Sequence, residues 1–146
     1  MNKNKIFILF QFVLVITTQA FAQSAVDSSS VTILRAYVEA YNRHDVDKLM
    51  TMIADDFAYF SVAGDSMQCD IRGSAPLREW LTGYFRSLPT LRAVIENIFP
   101  CGAFLAMRER AIWQSKKGER SQVSIGVYEI QNGRIRRAWY FPAQKI

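Results

Sequence analysis

The sequence predicts an α+β domain, with three helices packed on one face of a mostly antiparallel sheet. Three observations carry that prediction. Apolar residues fall at helical spacing in three stretches (33–41, 46–53 and 77–88), all upstream of Pro89. Runs rich in aromatic and β-branched residues make up most of the remainder. Short turn signals at Gly64-Asp65, Lys116-Lys117-Gly118-Glu119 and Gln131-Asn132-Gly133 join those runs as hairpins.

The chain has 146 residues, which suits one domain. Its start is read as a removable segment. Lys3 and Lys5 precede an apolar stretch, 6–16, interrupted only by Gln11, and Ala20-Phe21-Ala22 follows shortly after. A charged start, a short apolar core and small residues at an A-x-A site predict a secretory signal peptide cleaved after Ala22, hence a periplasmic or secreted protein. The apolar stretch falls short of the ~20 residues a spanning helix needs, so no membrane association is expected after cleavage. Residues 23–30 read as a flexible leader, 31–142 as the domain and 143–146 as a C-terminal tail.

Lys3 and Lys5 leave with the signal, so 16 basic and 13 acidic residues remain, a charge of +3. The arginines are dispersed, which argues against a nucleic-acid partner. Export would allow a Cys69–Cys101 bridge, and two free thiols are the alternative, because sequence cannot place the two Cα atoms. Two cysteines and one histidine match no metal-site spacing, and no metal is expected.

The first helix carries Ile33, Leu34, Tyr37, Val38 and Tyr41 on one side. Asn42-Arg43-His44 ends it, and Asp45 is a good N-cap for a second helix with the stripe Val46, Leu49, Met50, Ile53. Residues 57–63 and 67–71 read as a strand pair, with Asp55-Asp56 as the turn leading in. Ser74 is the expected cap of a third helix, with Pro76 in its first turn and Leu77, Trp80, Leu81, Tyr84 and Leu88 on its apolar face. Four strands follow, at 91–99, 103–114, 121–130 and 134–141.

Three blocks, "YNRHDVDKLMTMIADDF", "IRGSAPLREWL" and "GVYEIQNGRIRRAWYF", resemble the pattern of the SnoaL-like, nuclear transport factor 2-like superfamily. The resemblance spans about 31–142 and implies a cystatin-like α+β cone: a strongly curved, mixed, mostly antiparallel sheet wrapped around three helices, with a pocket inside. It also implies a homodimer, since dimers are common among members. Ketosteroid isomerase-like members place a tyrosine on the first helix, which aligns with Tyr37. They place a carboxylate base where Ser61 stands, a second acid where Gly126 stands, and a further tyrosine where Leu81 stands. Serine shuttles no proton near neutral pH without a partner, and glycine has no side chain, so that proton-transfer pair is missing here.

The remaining candidates are weighed from the residues. His44 sits where a helix ends, which suits a structural corner better than a general base. Asp55 and Asp56 are adjacent and point apart, so they cannot converge on one atom. Tyr37 and Tyr41 share a helix face. Alternation puts Leu105, Met107, Glu109, Ala111 and Trp113 on one face of their strand, and Arg108 and Arg110 on the other. Facing inward, Glu109 would be a lone carboxylate able to carry a proton. With the other face inward, Arg108 and Arg110 could clamp a carboxylate or other anion; mostly solvated, the three would form an Arg-Glu-Arg ladder with Glu129 and Arg136. The leading expectation is binding of a small, mostly hydrophobic molecule, without cofactor, by Tyr37, Tyr41, Ser61, Trp80, Tyr128 and Trp139. Two alternatives stand beside it: a cofactor-independent isomerase, dehydratase or cyclase using Tyr37 and Glu109, and a dimeric protein-interaction module.

Overall fold

The structure is a computed structural model that describes residues 28–145. The predicted signal peptide and its cleavage site lie outside the described residues. Helix α1 occupies 28–42, and α2 is Val46–Thr51. Strands β1 (Ile53–Ala63) and β2 (Ser66–Arg72) follow, then α3 (Ser74–Ser87). Strands β3 (Arg92–Cys101), β4 (Phe104–Ser115), β5 (Gly118–Gln131) and β6 (Arg134–Tyr140) complete the sheet, and β7 (Gln144–Lys145) pairs with β5.

The strand order is β2-β1-β6-β5-β4-β3. Only β1 against β6 is parallel; every other pairing is antiparallel. Register breaks at Tyr59/Phe60, Ile95/Asn97 and Glu129/Ile130 bend three strands, because a bulge kinks a strand and tightens its twist. The helices pack in the resulting hollow. Leu34, Leu49 and Leu81 from the helices meet Ile53, Leu105, Met107 and Ile135 from the sheet, all seven fully buried. Each such side chain contributes about 1.5–3 kcal/mol when taken out of water.

The break between α1 and α2 is a built corner. His44 adopts φ 53°, a left-handed conformation. Its N–H donates to the Tyr41 carbonyl, and the Asp45 N–H reaches back to Ala40, both at 3.0 Å. Those two bonds form the Schellman closure of a helix end, with histidine where glycine is usual. The ring explains the exception. Nε2 donates to the Leu91 carbonyl at 2.8 Å, and the imidazole stacks on Phe85 at 4.2 Å. Asn42 bonds both backbone groups of Ala93, at 2.8 and 2.6 Å. The corner therefore clamps the start of β3 against the helices. Asp45 caps α2 through the Lys48 N–H at 2.9 Å, as expected.

Several local expectations are corrected. Residues 28–30, read as the end of a loose leader, are helical, and Ser30 is buried. The first strand begins at Ile53, so Asp55 and Asp56 are strand residues instead of a turn; Asp56 pairs with Arg136 at 2.8 Å across to β6. Ser74 opens α3 without capping it. Gly73 holds the cap position at φ 93°, which glycine tolerates, and its N–H bonds Phe57 at 2.7 Å. Residues 144–145 of the expected tail form β7. Cys69 and Cys101 are free, and they sit on β2 and β3, the opposite edges of the sheet. No described helix is long and apolar enough to cross a membrane.

Candidate functional site

The hollow leaves a cavity of about 440 Å³. Helix α1 contributes Tyr37 and Tyr41, four residues apart on its inner face. Helix α3 contributes Leu77, Trp80, Leu81 and Tyr84, the i, i+3, i+4, i+7 stripe of an amphipathic helix. From the sheet come Tyr59 and Ser61 on β1, Glu109 and Ala111 on β4, Gln122, Ser124 and Tyr128 on β5, and Tyr140 on β6. On β4, β5 and β6 the wall residues alternate, as the pleat requires, while the end of β1 adds Ser61, Val62 and Ala63 in succession.

Glu109 is the one ionisable carboxylate in this lining, and no Lys, Arg or His shares it. It is half-buried, reachable from the cavity and otherwise enclosed. Burial raises its pKa; hydrogen bonds from Tyr140 and Ser124 offset part of that rise. The Ser124 hydroxyl stands 3.5 Å from Oε1. Tyr140 also bonds Tyr128, hydroxyl to hydroxyl. A phenol has one proton to donate. With Glu109 ionised, Tyr140 donates to it and Tyr128 donates to Tyr140; with Glu109 protonated, the chain can run the other way.

The surrounding phenols are held neutral. Burial, then the charge of Glu109, raises Tyr37. Burial pushes Tyr59 up to about 12, with Asp70 and Glu109 adding to it. Tyr41 is raised by burial and by Tyr84, to which it is hydrogen-bonded. These groups therefore offer O–H donors across the physiological range.

Of the six residues expected to contact a ligand, Tyr37, Tyr41, Ser61, Trp80 and Tyr128 line the cavity. Trp139 does not. Ala138 and Tyr140 face inward on β6, so parity turns Trp139 outward, where it stacks on Phe60 at 5.7 Å and tilts against Phe104. Tyr140 is the residue that sequence reasoning missed. "RAWYF" is aromatic at both parities, so alternation alone could not choose between Trp139 and Tyr140. Pairing with Gly126 decides it. A Cβ at Gly126 would meet the rings of Tyr128 and Tyr140 at 3.1 Å. The space beside Gly126 is filled by the rings of Tyr128 and Tyr140.

Glu109 faces inward, and the expected outer ladder is rearranged. Arg110 reaches Glu96 at 2.7 Å, and Arg108 closes on the other oxygen of the same carboxylate. Glu129 pairs with Arg137 instead, at 2.6 Å. Leu81 lies almost fully buried in the core at the cavity wall. Among the described residues no group of three His, Cys, Asp or Glu side chains could hold a metal ion.

The family described as SnoaL-like domain matches residues 34–138. No curated protein sequence matches the chain. Similar folds occur in several solved structures. A SnoaL-like polyketide cyclase from Agrobacterium tumefaciens shares 22% identity over 77% of this chain and 88% of its own, with TM-score 0.63. An LEH-like epoxide hydrolase from M. tuberculosis shares 20% over 79% and 83%, with TM-score 0.64. A cystatin-fold protein from Novosphingobium aromaticivorans shares 22% over 76% and 96%, with TM-score 0.65. At these identities the likeness speaks to the fold.

Proposed function

The chain belongs to the SnoaL-like domain family of the nuclear transport factor 2-like superfamily, and on that premise we propose that it is an exported domain whose cone holds one small, mostly hydrophobic molecule. The observation that carries this reading is the open cavity of about 440 Å³, walled mainly by rings and aliphatic groups, with one carboxylate and a few hydroxyl and amide groups among them. Ligand pockets commonly span ~300–1,000 Å³ with few polar groups among apolar ones. Family membership leaves the chemistry open, because one fold hosts many activities.

Native mass spectrometry of the mature protein, purified from its own host, tests the reading. A retained small molecule is expected; its absence from repeated preparations counts against it. Tyr37→Phe should weaken a retained molecule by the ~0.5–1.5 kcal/mol of one hydrogen bond, and unchanged affinity would exclude Tyr37 as its donor.

A second reading, acid–base turnover of the bound molecule, is supported by the Tyr128–Tyr140–Glu109 chain. Glu109 would carry the proton and Tyr37 would donate to a substrate oxygen, in a cofactor-free isomerisation, dehydration or cyclisation. Glu109→Gln should then abolish turnover while retaining binding. The outer sheet face supports a homodimer: Phe104 and Ile125 are exposed there beside the Phe60–Trp139 stack. Sedimentation equilibrium should give twice the monomer mass, and Phe104→Glu should halve it.

A further inference from the structure

We propose that the cone selects an organic cation, a protonated or quaternary amine carried on an apolar body, in preference to neutral or anionic molecules of the same shape. This deepens the binding reading above and rests on it.

The first observation is the charge balance of the wall. Glu109 is enclosed there without a basic side chain in the lining to neutralise it. Outside the cone, every carboxylate that the sheet half-buries is paired: Glu96 with Arg108 and Arg110, and Glu129 with Arg137. Glu109 has only the neutral hydroxyls of Ser124 and Tyr140. An enclosed carboxylate without a cation is destabilised when ionised. A positively charged ligand supplies the missing partner, and an anion would face the carboxylate with nothing to offset it.

The second observation is the ring series along the wall. Tyr84 stacks with Trp80 at 4.7 Å, Trp80 with Tyr59 at 6.4 Å, Tyr59 meets Tyr140 at 5.4 Å, and Tyr140 meets Tyr128 at 6.0 Å. Four aromatic side chains thus run from the partly exposed Trp80 inward to the neighbours of Glu109, with Tyr84 stacked beside the first. Ring faces attract cations, most strongly when both are out of water. Aliphatic residues would serve a neutral ligand equally well; a chain of rings ending at a lone carboxylate serves a cation better. The charge that bears on the phenols agrees in sign: it comes from Glu109 at Tyr37, Tyr59 and Tyr84, and also from Asp70 at Tyr59.

Three probes with one benzyl body test this: benzyltrimethylammonium, its uncharged carbon isostere neopentylbenzene, and phenylmethanesulfonate. Binding to the wild-type mature protein is read by calorimetry and ligand-observed NMR. The cation should bind about tenfold or more tightly than the isostere, a difference within the range of a desolvated cation–π contact, and the sulfonate should not bind. Glu109→Gln should cut the cation's advantage severalfold, to the part that the rings supply. Equal or tighter binding of neopentylbenzene to the wild type overturns the inference and leaves the apolar-cavity reading standing. So does a cation preference that is undiminished in Glu109→Gln, which would leave the carboxylate no part in the selection. Failure of all three to bind also overturns the cation reading, while the retained-molecule experiment decides the broader one separately. The comparison of probes on wild-type protein needs no variant to fold.

Discussion

Glu96 and Glu109 are neighbours in one hairpin and opposites in chemistry. Glu96 occupies the bulge of β3 beside Ile95, and Ile95 pairs with Glu109 on β4. The pleat sends Glu96 to the outer face, between two guanidiniums, and Glu109 to the inner face, among rings. The same carboxylate is a structural ion-pair member on one side of the sheet and an unpaired, destabilised acid on the other. Strand parity, a period of two residues, makes that difference.

The contrast can be broken most forcefully at Glu96. Glu96→Ala leaves Arg108 and Arg110 facing each other without a counter-charge. It should destabilise the domain by about 1–3 kcal/mol, less than a fully buried pair because both arginines retain solvent. Urea denaturation at neutral pH measures it, and a loss below a few tenths of a kcal/mol would mean that the pairing contributes little.

Glu109→Gln should act with the opposite sign. Folding raises the pKa of Glu109, chiefly by burial. The unfolded chain therefore loses this proton first as pH rises. Stability falls from the ordinary carboxylate range up to the raised folded value and is level beyond it, as far as this one group is concerned. Glu109→Gln removes that fall, so the variant should gain on the wild type as pH increases through the window. Parallel stability–pH curves for the two proteins would show that Glu109 is solvated like an ordinary surface acid.

Tyr140→Phe sharpens the comparison by a smaller amount. It removes the donor that offsets the rise at Glu109 and leaves the Tyr128 hydroxyl without its partner. A loss of ~0.5–1.5 kcal/mol is expected at neutral pH, together with an extension of the Glu109 window to higher pH. An unchanged window would remove Tyr140 from the network.

Much of the fold is legible in the sequence. The helical stripes, the hairpin turns and the Asp45 cap are signals between residues a few positions apart. The hairpin turn expected at Gln131-Asn132-Gly133 is present between β5 and β6, with Asn132 and Gly133 both at positive φ. His44 stands at a corner, as its place at the helix end suggests, although the carbonyl its ring bonds belongs to Leu91, just before β3. Less local features were not legible. Ile53 belongs to β1 because it pairs with Ile135, which is distant in sequence. The cysteines looked able to bridge until strand order put them on opposite edges. At the site, alternation correctly grouped Glu109 with Leu105 and Met107, and left open which side of the sheet that group would face.

By itself, the sequence determined the order of elements, the helical corner and the family, because helical and strand periodicities are set by neighbouring residues and survive in the unfolded text. Only the tertiary structure decided that Tyr140 and not Trp139 enters the cone, and that Glu109 stands there without a cation. Desolvation and charge pairing belong to the elements that close around a group. For Glu109 those elements are drawn from both ends of the domain.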